Sequence, residues 1–444
     1  MLHTLPPEIF ARVLEIAIET WGIGFLPSIC LVSSTCRDVV LSTPSLWGIF
    51  VVDRQSSLSL LSQQLAKAKA TDLRITFSGK GWPNSSTHKN TRRFMASLTP
   101  LAHNWVRLEL PTGVLSLARW ADLGRIEVLS LRQTPHGLDP STADTFFEQG
   151  ATYTQPSLHS FTASGLPEEW VTRFLSPRIT FFEIGRLWST PASTIQRYLS
   201  RIPNVHTLSL QRISFLPLSA SNLTVTLPHL HNLEIANVSD FTPLLLNTRA
   251  PALRGLSICD CTGQMGRVFS QWSQPDFLPG HLQSLELSDS LSELDMPFLI
   301  RWLARLPALL RLTITDTGEF DASTSSVETD LLLALASPHG AGSIVGGWLC
   351  PSLTYLCLDT PLCLVDILPI ARARCAPSPG SPAKLRAMHA HLCSNGTADE
   401  LAEFRSFFTE EADASCLCLG CAFNLSSMWN ENRLRRMLMS LQYD

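Results

Sequence analysis

The sequence predicts an α+β chain in which a short all-helical module is followed by a long, irregular α/β solenoid of repeated strands. Three observations carry this expectation. Apolar residues in an L-x-x-L-x-L spacing recur eleven times after residue 100, whereas the opening 47 residues lack the pattern and carry helix punctuation instead. The chain is also 45% hydrophobic and only 16% charged, rich enough to bury a continuous core and too rich for a disordered scaffold. Length alone, 444 residues, suggests on the order of three domains, but stacked repeats run much longer as one unit.

The opening stretch is LPPEIFARVLEIAIETWGIGFLPSICLVSSTCRDVVLSTPSLW, read as three short helices. Pro6 and Pro7 fix φ before a helix that starts near Glu8. Ile9, Val13 and Ile16 share one face of it, and Phe10, Leu14 and Ile18 form a second apolar stripe. A surface helix usually has one such stripe, so two imply that its own domain covers one and a partner protein the other. Roughly 45 residues are too few for a self-sufficient core, which again points to association.

The opening LPPEIF and the later RDVVLSTPSLW, at this separation, resemble an F-box. Leu5, Pro6, Ile9, Pro44, Leu46 and Trp47 stand where that family has its signature residues, and Cys36 stands where it usually shows tryptophan. The resemblance implies docking on a Skp-family adaptor and, through it, on a cullin scaffold. The adaptor-binding residues expected from it are Leu5, Pro6, Ile9, Phe10, Val13, Leu14, Cys36, Val39, Pro44, Leu46 and Trp47. The module is assigned residues 1–52, the solenoid 53–395 and C-terminal capping helices 396–444.

Between module and repeats, Leu58, Leu61, Leu65 and Ala68 predict a helix within Ser56 to Lys69; Leu73, Ile75 and Phe77 alternate as a strand; Thr91 to Asn104 is helical again. The repeats run from Trp105/Leu108/Leu110 and Ile126/Leu129/Leu131 to Leu353/Leu356/Leu358 and Leu385/Met388/Ala390. Most steps between their centres are 21 to 32 residues, and one, from Leu312 to Leu356, is 44. Pro228, Pro251, Pro307 and Pro351 each stand two residues before a first apolar position, where proline ends one element and opens the next. These intervals resemble leucine-rich repeats, one strand and one return segment each. The two-part chain is similar to the F-box proteins with such repeats that abound in mushroom-forming fungi. The 44-residue step reads as an insertion: an apolar helix over Ser326 to Ser337, then PHGAGSIVGGW as a flexible excursion. Leu434, Leu438 and Leu441 predict a terminal capping helix.

Charge and motifs narrow the function. Lys+Arg 34 against Asp+Glu 38 leaves −4, which gives no reason to expect nucleic acid. No stretch supplies eighteen uninterrupted apolar residues and no leader is apparent, so the expectation is an intracellular protein, in cytoplasm or nucleus, with no membrane contact. Twelve scattered cysteines read as reduced thiols, and Cys261 as a turn residue bonding to the backbone. His389, His391 and Cys393 with Cys416, Cys418 and Cys421 are all residue types that bind zinc, but their spacing does not pair as zinc sites do, so no metal is expected. No nucleophile elbow, zinc-protease or dinucleotide motif occurs, so neither catalysis nor a cofactor is expected.

The expected function is the substrate-recognition subunit of an SCF-type cullin-RING ubiquitin ligase, with a non-ligase F-box/repeat scaffold as the alternative. The period of two along each strand places the target-binding surface at Arg107, Glu109, Arg132, Gln211, Asn232, Glu234, Arg311, Thr315, Tyr355, Asp359, His389 and His391.

Overall fold

The computed structural model describes residues 5–52, 56–69, 71–77, 88–111, 124–133, 157–216, 223–274, 277, 279–315, 326–338, 347–375, 382–394 and 397–408. These fall into two compact units divided between Ile213 and Ser214, inside the segment expected to be one solenoid.

The first unit opens with α1 (Pro7–Trp21), α2 (Leu26–Val32), α3 (Ser34–Ser42) and the single turn α4 (Pro44–Trp47). Pro7 suits the first position of α1 because the amide it lacks has no partner within the helix there. Gly22, at φ 77°, closes α1 by donating its N–H to the Ile18 carbonyl. Ser33 caps α3, its hydroxyl accepting from the Cys36 N–H at 3.1 Å. The chain continues through β1 (Ile49–Val52), α5 (Leu58–Ala68), β2 (Leu73–Phe77), α6 (His88–Leu98), β3 (Trp105–Pro111), β4 (Val128–Arg132), β5 (Ser160–Ser164), α7 (Glu168–Phe174), β6 (Phe181–Thr190), α8 (Ala192–Arg201) and β7 (Thr207–Phe215). Strands β1 to β6 pair in parallel in chain order, and β7 lies beside β6.

Register stacks the apolar positions into columns. Phe50, Ile75, Leu108, Leu129, Phe161 and Phe182 align across six strands, with Leu110, Leu131, Ala163 and Ile184 beside them, all buried. Each such large side chain contributes roughly 1.5–3 kcal/mol. The return helices cover this side: Phe174 of α7 packs against Phe161 with ring centroids 5.2 Å apart.

The second unit contains the two-residue strands β8 (Val225–Thr226) and β10 (Thr248–Arg249), which pair with each other. Its main elements are β9 (Asn232–Ser239), α9 (Thr242–Leu246), β11 (Gly255–Cys259), α10 (Met265–Trp272), β12 (Ser284–Ser288), α11 (Met296–Leu303), β13 (Arg311–Thr315), α12 (Ser326–Ala336), β14 (Tyr355–Cys363), α13 (Leu364–Cys375), β15 (Ala387–Ser394) and α14 (Ala398–Ser406). The strands β9, β11, β12, β13, β14 and β15 pair in parallel in that order. Leu233, Leu256, Leu285, Leu312, Leu356 and Met388 form one buried column; Ile235, Ile258, Leu287, Ile314, Leu358 and Ala390 form the next.

Cysteine and serine tie successive turns of this unit together. The Cys261 thiol donates to the Cys259 carbonyl at 3.1 Å and to that of Ile235 at 3.5 Å, while its N–H donates to the Ser290 hydroxyl at 3.0 Å. Ser290 in turn donates to the Ser288 carbonyl at 2.7 Å. Burial pushes the Cys261 thiol up to about 12, as suits a hydrogen-bonding group rather than a thiolate.

The 44-residue step carries the expected apolar helix as α12. Its Leu331, Leu332 and Leu335 are buried, so α12 serves its repeat as a covering helix, as α10 and α11 serve theirs. Residues 339–346 of the glycine-rich stretch, residues 376–381 and the expected capping helix around Leu434, Leu438 and Leu441 lie outside the described residues. Among the described residues no helix is long and apolar enough to cross a membrane.

Candidate functional site

The two stripes of α1 part company. Phe10, Leu14 and Ile18 are buried in the first unit, whereas Ile9 (52% exposed), Val13 (48%) and Ile16 (55%) face outward with Leu5 beyond them. Exposed apolar side chains continue at Trp21, at Leu31 and Val32 closing α2, and at Leu41 near the end of α3. These last four were not picked out from the sequence. The signal that could have found them is apolar side chains at positions where the helices next meet a cap or turn.

Six of the expected adaptor contacts are interior. Phe10, Leu14, Cys36, Val39, Leu46 and Trp47 are all buried, so they fix the module onto its own unit and cannot form the open face. Trp47 shows why. Its indole N–H donates to the Val40 carbonyl at 2.9 Å, its carbonyl accepts from Gln64 Nε2 at 3.1 Å, and the Lys67 ammonium lies 3.9 Å above its ring. Pro6 is exposed as the residue before α1, and Pro44 is half-buried at the start of α4.

The acidic side of α1 is tied to the strands. Arg74 of β2 reaches Glu15 and Glu19, each at 3.3 Å, and Arg107 of β3 reaches Glu19 at 3.8 Å and Glu109 at 2.7 Å. Arg107 and Glu109, both expected to bind a target, are therefore engaged with each other, and Arg107 also with α1.

On the sheet face of the second unit, register brings Arg311, Tyr355 and His389 together. Arg311 pairs with Tyr355 across β13 and β14, its guanidinium 5.0 Å from the ring centroid. The Tyr355 ring lies 5.4 Å from His389 of β15. His389 is half-buried, its Nδ1 has no hydrogen-bond partner among the described residues, and burial lowers its pKa, which keeps it neutral at pH 7. Thr313 and Cys357, in the same row as His389, are buried rather than open, which narrows the face at that level.

The other expected positions are dispersed. Asn232 and Arg132 are exposed; Glu234, Gln211 and Thr315 are half-buried. Gln211 donates to the Ser209 hydroxyl at 3.1 Å, and Thr315 Oγ1 has no partner among the described residues. Asp359 and His391 lie on β14 and β15, but their side chains are outside the described set, as are Cys416, Cys418 and Cys421.

No protein-family model matches the chain. No curated protein matches it either. Among solved structures it is similar to a chain from the Rad7 and Elc1 complex in yeast, at 16% identity and a TM-score of 0.40, over 89% of this chain and 96% of that one. It is also similar to a chain from the TLR13–ssRNA13 complex, at 13% identity and a TM-score of 0.38. That match covers 77% of this chain and only 46% of the other, so the protein described here spans less than half its length.

Proposed function

We propose that this chain is an intracellular substrate-recognition subunit of an SCF-type cullin-RING ubiquitin ligase. In this reading the helical module is an F-box that docks on a Skp-family adaptor, and through it on a cullin, while the repeat strands capture a target protein. The chain performs no chemistry of its own. It contributes proximity, since a target lysine held beside the ubiquitin thioester reacts at a high effective concentration instead of by chance encounter.

The observation that carries the reading is the divided helix α1, with one apolar stripe inside its unit and the other left open at Ile9, Val13 and Ile16. Solvated helices do not usually keep a second stripe, and a partner that covers it removes the cost. The test is co-purification of the full chain with a Skp-family adaptor and a cullin. Recovery of both supports the ligase reading; adaptor without cullin selects the non-ligase scaffold; recovery of neither rejects the docking assignment.

A further inference from the structure

The helical layer of the second unit holds a cavity of about 440 Å³ between α10 and α11, lined by Gly266, Arg267, Ser270, Gln271, Gln274 and Phe298. That size falls within the roughly 300–1,000 Å³ of clefts that take up ligands. Arg267, Ser270, Gln271 and Gln274 reach it at i, i+3, i+4 and i+7 spacing, so one face of α10 and the turn after it form a whole wall. Phe298 of α11 forms the other. Its ring lies against the first turn of α10, where Gly266 leaves the room: an added Cβ would stand 2.8 Å from it. Asp295 pins this seam, its carboxylate accepting from the Gly266 N–H at 2.5 Å and from the Ser292 N–H at 3.0 Å and hydroxyl at 2.5 Å.

Charge on the two helices has one sign. Arg267 is the only charged residue of α10 and Arg301 the only one of α11, in a chain whose net charge is −4. Arg301 stands one turn beyond Phe298, its guanidinium 6.0 Å from the ring centroid. Asp295 offers these cations nothing, being 7% exposed with both oxygens committed to the seam. Among the described residues neither Arg267 nor Arg301 makes an ion pair, and neither the Ser270 hydroxyl nor the Gln274 amide makes a hydrogen bond. Gln271 differs, donating to the Leu246 carbonyl at 2.7 Å. Apolar surface adjoins the cations: Phe298 is 37% exposed, and Leu294, four residues earlier, is 83% exposed. A single exposed leucine calls for no explanation, but here it extends an aromatic wall edged by positive charge.

We propose that this groove docks a short segment of a second protein that carries carboxylates beside an apolar side chain. A carboxylate enters the cavity onto Arg267, with Ser270 and Gln274 as further donors, while the apolar side chain covers Phe298 and Leu294 and a second carboxylate meets Arg301. Charge complementarity selects an acidic segment, and arginine's planar fork matches a carboxylate bidentately. Openness selects a chain over a small molecule: Arg267, Ser270 and Gln274 are all exposed, so the cavity has no roof to enclose a free ligand. The groove uses neither the open stripe of α1 nor the Arg311/Tyr355/His389 group, so it goes beyond the proposed function and does not depend on it.

Fluorescence anisotropy with the full chain tests it. The probe is a fluorescein-labelled 12-residue Asp/Glu peptide with one central Phe. Comparators are the same peptide with every acid replaced by its amide, the same peptide with Ser for Phe, and a single-stranded oligonucleotide of similar charge. The acidic peptide binds, both substituted peptides bind more weakly, and Arg267→Gln with Arg301→Gln lowers its affinity by at least about tenfold. Arg311→Gln on the strand face leaves the affinity unchanged. Both groove arginines are exposed and hold no hydrogen bond through their side chains among the described residues, so the double variant melts with the parent. If it melts lower, Arg267→Gln alone decides the matter by the same loss of affinity. No binding of the acidic peptide, equal binding of either substituted peptide, equal binding to parent and groove variant, loss on Arg311→Gln, or tighter binding of the oligonucleotide overturns the proposal.

Discussion

Arg374→Met isolates the contribution of one buried cation to the second unit. Arg374 is 1% exposed near the end of α13, where its Nε donates to the Leu335 carbonyl at 2.8 Å and its terminal nitrogens donate to the carbonyls of Cys350 (3.3 Å) and Leu349. The guanidinium also lies 5.7 Å from the Trp348 ring, and burial lowers its pKa to about 10. One side chain thus ends α12 and receives the chain as it returns from the long insertion. Methionine fills most of the volume but takes this donor from the Leu335 and Leu349 carbonyls, each costing about 1–3 kcal/mol when orphaned, whereas the Cys350 carbonyl keeps the Leu353 N–H at 3.0 Å. Relief of the buried charge offsets part of that, so the expected loss is on the order of 3–5 kcal/mol. Urea unfolding followed by tryptophan fluorescence measures it, Trp348 being a neighbour. The control is Arg372→Met, whose bidentate pair with Glu403 at 2.6 and 2.7 Å lies at the surface. It should leave the midpoint nearly unchanged. Equal effects of the two substitutions would refute the reasoning, because buried and solvated guanidiniums would then be equivalent.

Ile9→Asp with Val13→Asp should abolish adaptor co-purification while the melting temperature holds, since both side chains are exposed; Leu5→Ala with Pro6→Ala should weaken adaptor binding by roughly 2–4 kcal/mol in calorimetric titration. Charge reversal of Arg311 together with Tyr355→Ala should eliminate target capture, read by affinity purification under proteasome inhibition, and leave adaptor recovery intact; unchanged capture would move the target surface elsewhere. Burial raises the thiol pKa of Cys261 and Cys350 to about 12 and that of Cys375 to about 11, above the ordinary thiol range. Their contribution is present below pH 9 and is lost as pH rises through 11 to 12. Arg374, lowered to about 10, acts in the opposite sense above that pH but is one group against three. Denaturant midpoints measured from pH 8 to 11 should therefore fall, and Cys261→Ala with Cys375→Ala should flatten the decline.

The apolar columns were legible because a period of two within strands and a recurrence every 21 to 32 residues leave few other arrangements. Both stripes of α1 were legible for the same reason, by the helical period. Burial of Leu46 and Trp47 was not, because residues that mark a docking module can act by holding its shape, and spacing does not separate the two roles. The covering role of α12 was hidden by its composition: Leu331, Leu332, Leu333 and Leu335 are so evenly apolar that no face stands out, and only packing shows that Leu333 alone of them is exposed.

The bonds from Arg74 and Arg107 to Glu15 and Glu19 have a mechanical meaning. They tie α1 to β2 and β3 at two heights and add to the hold of the buried Phe10, Leu14 and Ile18, so the helix does not swivel on a tether. A protein seated on Ile9 and Val13 would inherit a fixed bearing on the strands of the first unit, set by side chains rather than by linker length. Opening the buried stripe of Phe10, Leu14 and Ile18 together with these bonds would let that bearing wander, and the reach of anything carried there would change from an arm of set length to a leash.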